Sequence, residues 1–144
     1  MTRAILFVCL GNICRSPAAE AAVRGLAPHL ALDSAGTGAW HVGEPPYGPM
    51  QAAARRRGLD MSALRARQFR PDDFWNFDLI VAMDAENLAD IERQRPENAQ
   101  TEVRIFTDFC NTSETAIPDP YYSRDFDGAL DLIMRCAQGL VDQL

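Results

Sequence analysis

Val8-Cys9-Leu10-Gly11-Asn12-Ile13-Cys14-Arg15-Ser16-Pro17 lies between two segments of opposite character near the start of the chain. Before it runs Ala4-Ile5-Leu6-Phe7-Val8, an apolar run that reads as a buried strand. After it come Ala18-Ala19-Glu20-Ala21-Ala22-Val23, good helix formers, with Pro17 where a helix start tolerates proline. The stretch is therefore a turn from a strand into a helix. Such a turn aims backbone N–H groups at one spot, and the helix dipole makes that spot favourable for an anion.

Working outward, the turn holds Cys9 and, six residues later, Arg15. Folded around a phosphate-sized oxyanion, this spacing brings the arginine back over the cysteine. A cysteine beside an arginine at a helix N-terminus has its pKa lowered to roughly 3.5–7.5. Cys9 is then expected to be a thiolate and a nucleophile. Arg15 offers a planar fork to two oxygens of a bound phosphate. The bland alternative is an accidental spacing, against which stand the preceding strand, Gly11, Ser16 and the following helix.

A chain of 144 residues suits one domain with a real core. No apolar run approaches a membrane span. The chain enters a strand almost at once, so no signal peptide is expected. The four cysteines make no Cys-x-x-Cys pair and no close Cys/His cluster. That argues against structural zinc and a secreted disulfide framework, and for a reducing cytoplasm. A net charge of -6 disfavours nucleic acid as a partner. An anionic substrate must then be held by a local pocket. Arg55-Arg56-Arg57, the basic cluster, reads as a solvated helix face.

Further along, Leu30 to Ala35 alternates as a short strand, and the Gly- and Pro-rich run Gly36 to Pro46 is a loop. Met50 to Arg57 is a helix stopped by Gly58. Asp60 to Arg70 is ambiguous, and Asp72 to Phe74 begins a helical turn. Asp78 to Met83 is a third strand. Asp84 is an N-cap for a helix to about Arg95. Val103 to Phe106 is a fourth strand, and Thr107 to Pro120 is a loop long enough to be functional. From Phe126 to Leu144 apolar residues recur at helical spacing. Strands alternating with helices predict an α/β domain, a parallel sheet with helices on both faces. Its ligand site lies beyond the carboxyl ends of the strands.

Displacing an alcohol or phenol from phosphorus needs a proton for the leaving oxygen. Asp119, in Ile117-Pro118-Asp119-Pro120-Tyr121-Tyr122, is the candidate acid. The prolines stiffen the backbone around it, and the two tyrosines suit a flat aromatic substrate. Alone, it reads equally as a turn aspartate.

The pairing of Cys9-Leu10-Gly11-Asn12-Ile13-Cys14-Arg15-Ser16 with Asp119-Pro120-Tyr121-Tyr122 resembles the low-molecular-weight protein-tyrosine phosphatases, over essentially the whole chain. The resemblance implies a four-stranded parallel sheet in the order second, first, third, fourth, and no metal or other cofactor. It implies attack by Cys9 to form a phosphocysteine, with Arg15 and the N–H groups of Leu10 to Ser16 holding the phosphate. Asp119 serves as general acid and then base. Ser16 matches the serine that steadies the thiolate. Asn12 matches a bracing asparagine in a left-handed conformation, and Ser34 a serine that supports it. Trp40, His41, Tyr121 and Tyr122 match the walls of the substrate cleft, although Trp40 on its own is equally a core aromatic. Cys14 matches a cysteine that forms a reversible disulfide with the nucleophile, or it is simply a small buried residue. The implied partner is a phosphotyrosine-bearing protein, such as a bacterial tyrosine kinase or its substrate. Inorganic phosphate is the product and a monomer the working unit.

One position departs from the pattern. Leu64 stands where many relatives place a histidine ahead of Ala66-Arg67-Gln68, so the brace on Asn12 is expected to be weaker or differently made. The rival on the same scaffold is an arsenate reductase, which passes electrons through two further cysteines. Cys110 and Cys136 read as packing residues, far apart and not a compact pair. A phosphotyrosine-binding module without turnover is disfavoured by the presence of both Cys9 and Asp119. A nucleotide-binding loop is disfavoured by the missing Gly-Lys-Ser/Thr ending.

Overall fold

Strand β1 (Ala4–Cys9) occupies the middle of the sheet because its side chains are apolar on both faces. In a computed structural model describing residues 2–144, Ile5, Leu6, Phe7 and Val8 are all fully buried. The two-residue period of a strand sends Ile5, Phe7 and Cys9 into one core and Leu6 and Val8 into the other. Each large apolar side chain so buried contributes about 1.5–3 kcal/mol. One face is covered by α1 (Arg15–Leu26), α2 (Gly48–Arg56) and α6 (Phe126–Asp142). The other is covered by α3 (Asp73–Asn76) and α4 (Ala85–Glu92) through Phe74 and Ile91.

The remaining strands are β2 (Ala31–Gly36), β3 (Leu79–Ala82) and β4 (Glu102–Ile105). The order is β2-β1-β3-β4 and every pairing is parallel, as expected. Cys9 pairs with Gly36, and Val8 with Ala82, so three chain segments leave the sheet together at its carboxyl edge. α1 lies close against β1 because Ala18, Ala19 and Ala22 present only methyl groups.

Three stretches differ from the sequence expectation. The helix after Asp84 stops at Glu92, and Arg95 instead turns back to bond Glu92 and the Ala99 carbonyl. The loop expected from Thr107 contains a 3-10 turn, Phe106–Phe109, and ends in α5 (Pro120–Ser123). Arg56 and Arg57 are not a free solvated face: they pair with Asp127 and Asp131 and tie α2 to α6. Among the described residues no helix is long and apolar enough to cross a membrane.

Candidate active site

At the end of β1 the backbone turns sharply, and Asn12 takes a left-handed φ of 59°. Asparagine tolerates that conformation better than most residues. β2 presses on the turn from the side: a Cβ on Gly36 would sit 2.8 Å from the Leu10 carbonyl oxygen, so only glycine fits. Inside the turn lies the Cys9 sulfur. It accepts from the Asn12 backbone N–H at 3.3 Å and lies 3.1 Å from the Ser16 hydroxyl. Asn12 Nδ2 donates to Ser16 Oγ at 2.8 Å, and the hydroxyl also reaches the Ala35 carbonyl at 3.4 Å.

The other end of Asn12 answers the question raised by Leu64. Asn12 Oδ1 accepts from the Arg67 backbone N–H at 2.9 Å. That backbone is held by Gly36, which donates to the Arg67 carbonyl and accepts from Phe69 N–H. The Arg67 guanidinium is clamped by Asp33 and the fully buried Asp73. The brace is thus made by main chain instead of imidazole, and Leu64 packs against the core. Ser34 does not reach Asn12, whose polar groups are engaged by Ser16 and Arg67; it is buried on β2 on the Glu20 side.

Arg15 opens α1 and is 3% exposed. Its Nη1 donates to Asp84 Oδ2 at 2.7 Å and to the Ile117 carbonyl at 3.1 Å. Its Nη2 faces Asp119 Oδ2 at 3.4 Å. The Nη1 corner is therefore committed to the scaffold, and the Nε–Nη2 edge is the one offered to an anion. Burial disfavours the guanidinium charge, but Cys9, Asp84 and Asp119 outweigh it and raise the Arg15 pKa above its ordinary value. Burial, reinforced by Cys9 and Asp119, pushes the Cys14 thiol up to about 12, so Cys14 stays neutral.

Sequence reasoning found Asp84 only as a cap. It does cap α4, its Oδ1 accepting from Asn87 N–H at 2.7 Å, but its second oxygen is the anchor of Arg15. The available signal was its place just after β3, beside β1 at the carboxyl edge. Asp84→Ala removes both bonds. With Arg15 freed to wander, kcat/KM for an aryl phosphate is expected to fall about 10–100-fold. The lost cap costs about 1 kcal/mol of stability. Steady-state kinetics and urea unfolding read the two effects separately.

A cleft of about 260 Å³ opens over Cys9. Its floor is Cys9, Leu10, Gly11, Ile13, Cys14 and Arg15; its rim is Trp40, His41, Asp119, Tyr121 and Tyr122. Asp119 caps α5 by accepting from Tyr121 N–H at 3.1 Å, which fixes the carboxylate and the tyrosine together. Tyr121 packs at a tilt against Tyr47 at 5.2 Å and edge-on against Tyr122 at 5.4 Å. Trp40 is 73% exposed and its ring lies on Gly38, so it is a wall and not a core aromatic. His41 packs over Gly11 and its Nδ1 is paired with Glu44, a partner the sequence reading did not name. The cysteines read as separate are in contact: Cys110 and Cys136 have sulfurs 3.1 Å apart, correcting that expectation, although neither lines the cleft.

The sequence model of the low molecular weight phosphotyrosine protein phosphatases matches residues 4–144. The chain is 42% identical over 136 residues to the low molecular weight protein-tyrosine-phosphatase YfkJ of Bacillus subtilis, covering 90% of this chain and 87% of that one. It is 36% identical to PtpA of Staphylococcus epidermidis, covering 97% and 92%. The crystal structure of YfkJ superposes with a TM-score of 0.93 over 99% of this chain and 94% of that one, at 37% identity. A protein tyrosine phosphatase from Entamoeba histolytica, with Hepes in its active site, gives 0.92 over 99% and 96%, at 34% identity. The match takes in all four strands, the Cys9 turn and the Asp119 segment, and the chain belongs to the low molecular weight phosphotyrosine protein phosphatases.

Proposed function

We propose that this chain hydrolyses phosphotyrosine in proteins, and small aryl phosphates, through a phosphocysteine on Cys9. The observation that carries this reading is the convergence of three residues in one cleft. Arg15 Nη2 and Asp119 Oδ2 meet at 3.4 Å although 104 residues separate them, and both residues line the same cleft as Cys9.

In the first step the Cys9 sulfur attacks phosphorus as the bond to the tyrosyl oxygen breaks. The Nε–Nη2 edge of Arg15 and the N–H groups of the turn hold the equatorial oxygens. Asp119 gives its proton to the leaving phenolate. In the second step a water attacks phosphorus, Asp119 takes its proton, the S–P bond breaks and inorganic phosphate leaves. Trp40, His41, Tyr121 and Tyr122 grip the aromatic ring. Each group comes from one chain, so a monomer suffices. The partner is a phosphotyrosine-bearing protein, and no step calls for a metal or other cofactor.

The test is to mix the protein with a 32P-labelled phosphotyrosyl peptide in EDTA and quench at short times. Label on Cys9 that survives alkali, is released by iodine and chases into inorganic phosphate is the expected result. Peptide binding with no label and no phosphate release would make the chain a binding module. Release that depends on added metal would overturn the mechanism.

A further inference from the structure

Two thiols outside the cleft lie against each other. Cys110 is part-buried where the 3-10 turn ends; Cys136 is fully buried on α6. Their sulfurs are 3.1 Å apart and unbonded, across 26 residues of chain. Packing explains the closeness. Gly139 lies three residues after Cys136, and a Cβ on it would stand 1.9 Å from the Phe109 carbonyl oxygen. Without that side chain the α6 backbone lies directly on residues 109 and 110. Gln143 donates to the Phe109 carbonyl at 3.5 Å and Arg135 to the Asn111 carbonyl at 3.1 Å, pinning the turn on both sides of Cys110.

We propose that Cys110 and Cys136 are a redox modification site, at which a peroxide joins them in a disulfide that staples the segment leading to Asp119 onto the C-terminal helix. The two cysteines have different roles. Cys110 is the one that solvent reaches, so it meets the oxidant. Burial and the neighbouring Cys110 push the Cys136 thiol well up, so it stays protonated and waits as the resolving group. Cys110 sulfur attacks a peroxide oxygen, the O–O bond breaks, and a sulfenic acid and one water result. Cys136 sulfur then attacks Cys110 sulfur, the S–O bond breaks, and the hydroxyl leaves as a second water with the Cys136 proton. Two electrons pass from the thiols to hydrogen peroxide, and a dithiol returns them.

The ring so closed runs from 110 to 136 and contains Asp119, Tyr121 and Tyr122. Because the staple limits the unfolded chain, the oxidised protein melts higher. Cys9→Ser/Cys14→Ser protein, which keeps only this pair, is treated with hydrogen peroxide and mapped by mass spectrometry without reduction, beside the wild type. The expected result is a chain lighter by two hydrogens, a cross-linked Cys110–Cys136 peptide pair, and a Tm raised by about 5 °C that dithiothreitol reverses. Cys110→Ser in an otherwise wild-type chain should abolish the cross-link and leave p-nitrophenyl phosphate turnover unchanged. Sulfinic acid on Cys110 with a free thiol on Cys136, cross-links between chains, or an oxidised protein that melts no higher would each overturn the proposal.

Discussion

Replacing Cys9 with serine is expected to lower turnover of aryl phosphates by roughly 10^4-fold or more while phosphate still binds. The variant lacks the thiol but keeps the rest of the cradle. The turn is shaped by Asn12, whose bonds go to Ser16 and Arg67 N–H, and by the fit against Gly36. Arg15 is positioned by Asp84 and the Ile117 carbonyl, independently of the sulfur. A serine hydroxyl sits in the same place and accepts the Asn12 N–H, yet it is a far weaker nucleophile. Calorimetry with inorganic phosphate and a discontinuous phosphate-release assay separate the two quantities. Substantial turnover by the serine variant would remove Cys9 from the chemistry.

The second large effect concerns Asp119. Asp119→Ala should slow hydrolysis about 10^2–10^4-fold for poor leaving groups and much less for good ones. The reason is chemical: p-nitrophenolate departs with little help, whereas a tyrosyl phenolate needs a proton. A plot of log kcat/KM, which reports the step in which the phenolate leaves, against leaving-group pKa should be shallow for the wild type and steep for the variant. A uniform loss across the series would mean that Asp119 acts through structure alone. That alternative is real, because its side chain also caps α5 and faces Arg15. Asp119→Asn keeps the acceptor for Tyr121 N–H and lacks the proton, so it should share the steep slope and preserve stability.

Strand β1 and the Cys9 turn were legible because the physics there is local or repeated, whereas the order of the strands came only with the family resemblance. An unbroken apolar run has few options other than the middle of a parallel sheet. Asp119 was legible only through its company with the turn motif. Asp84 was half legible: its cap on Asn87 spans three residues, but its bond to Arg15 spans 69 and leaves no periodic trace. Asp60 to Arg70 resisted assignment because its order is borrowed. It forms a single bridge, Gly36 to Gln68, held by an arginine between two aspartates. The Cys110–Cys136 contact was invisible for a similar reason. It depends on the absence of a side chain at Gly139, and a missing atom carries no hydropathy signal.

The arrangement around Arg15 bears on how this protein comes into being. Its guanidinium is fixed by Asp84 from beyond β3 and by Ile117, 102 residues downstream. Synthesis runs from the N- to the C-terminus, so Cys9 and Arg15 are made before the residues that fix the guanidinium. A nascent chain therefore cannot hold Arg15 in this position until the segment through Ile117 has been made and has docked.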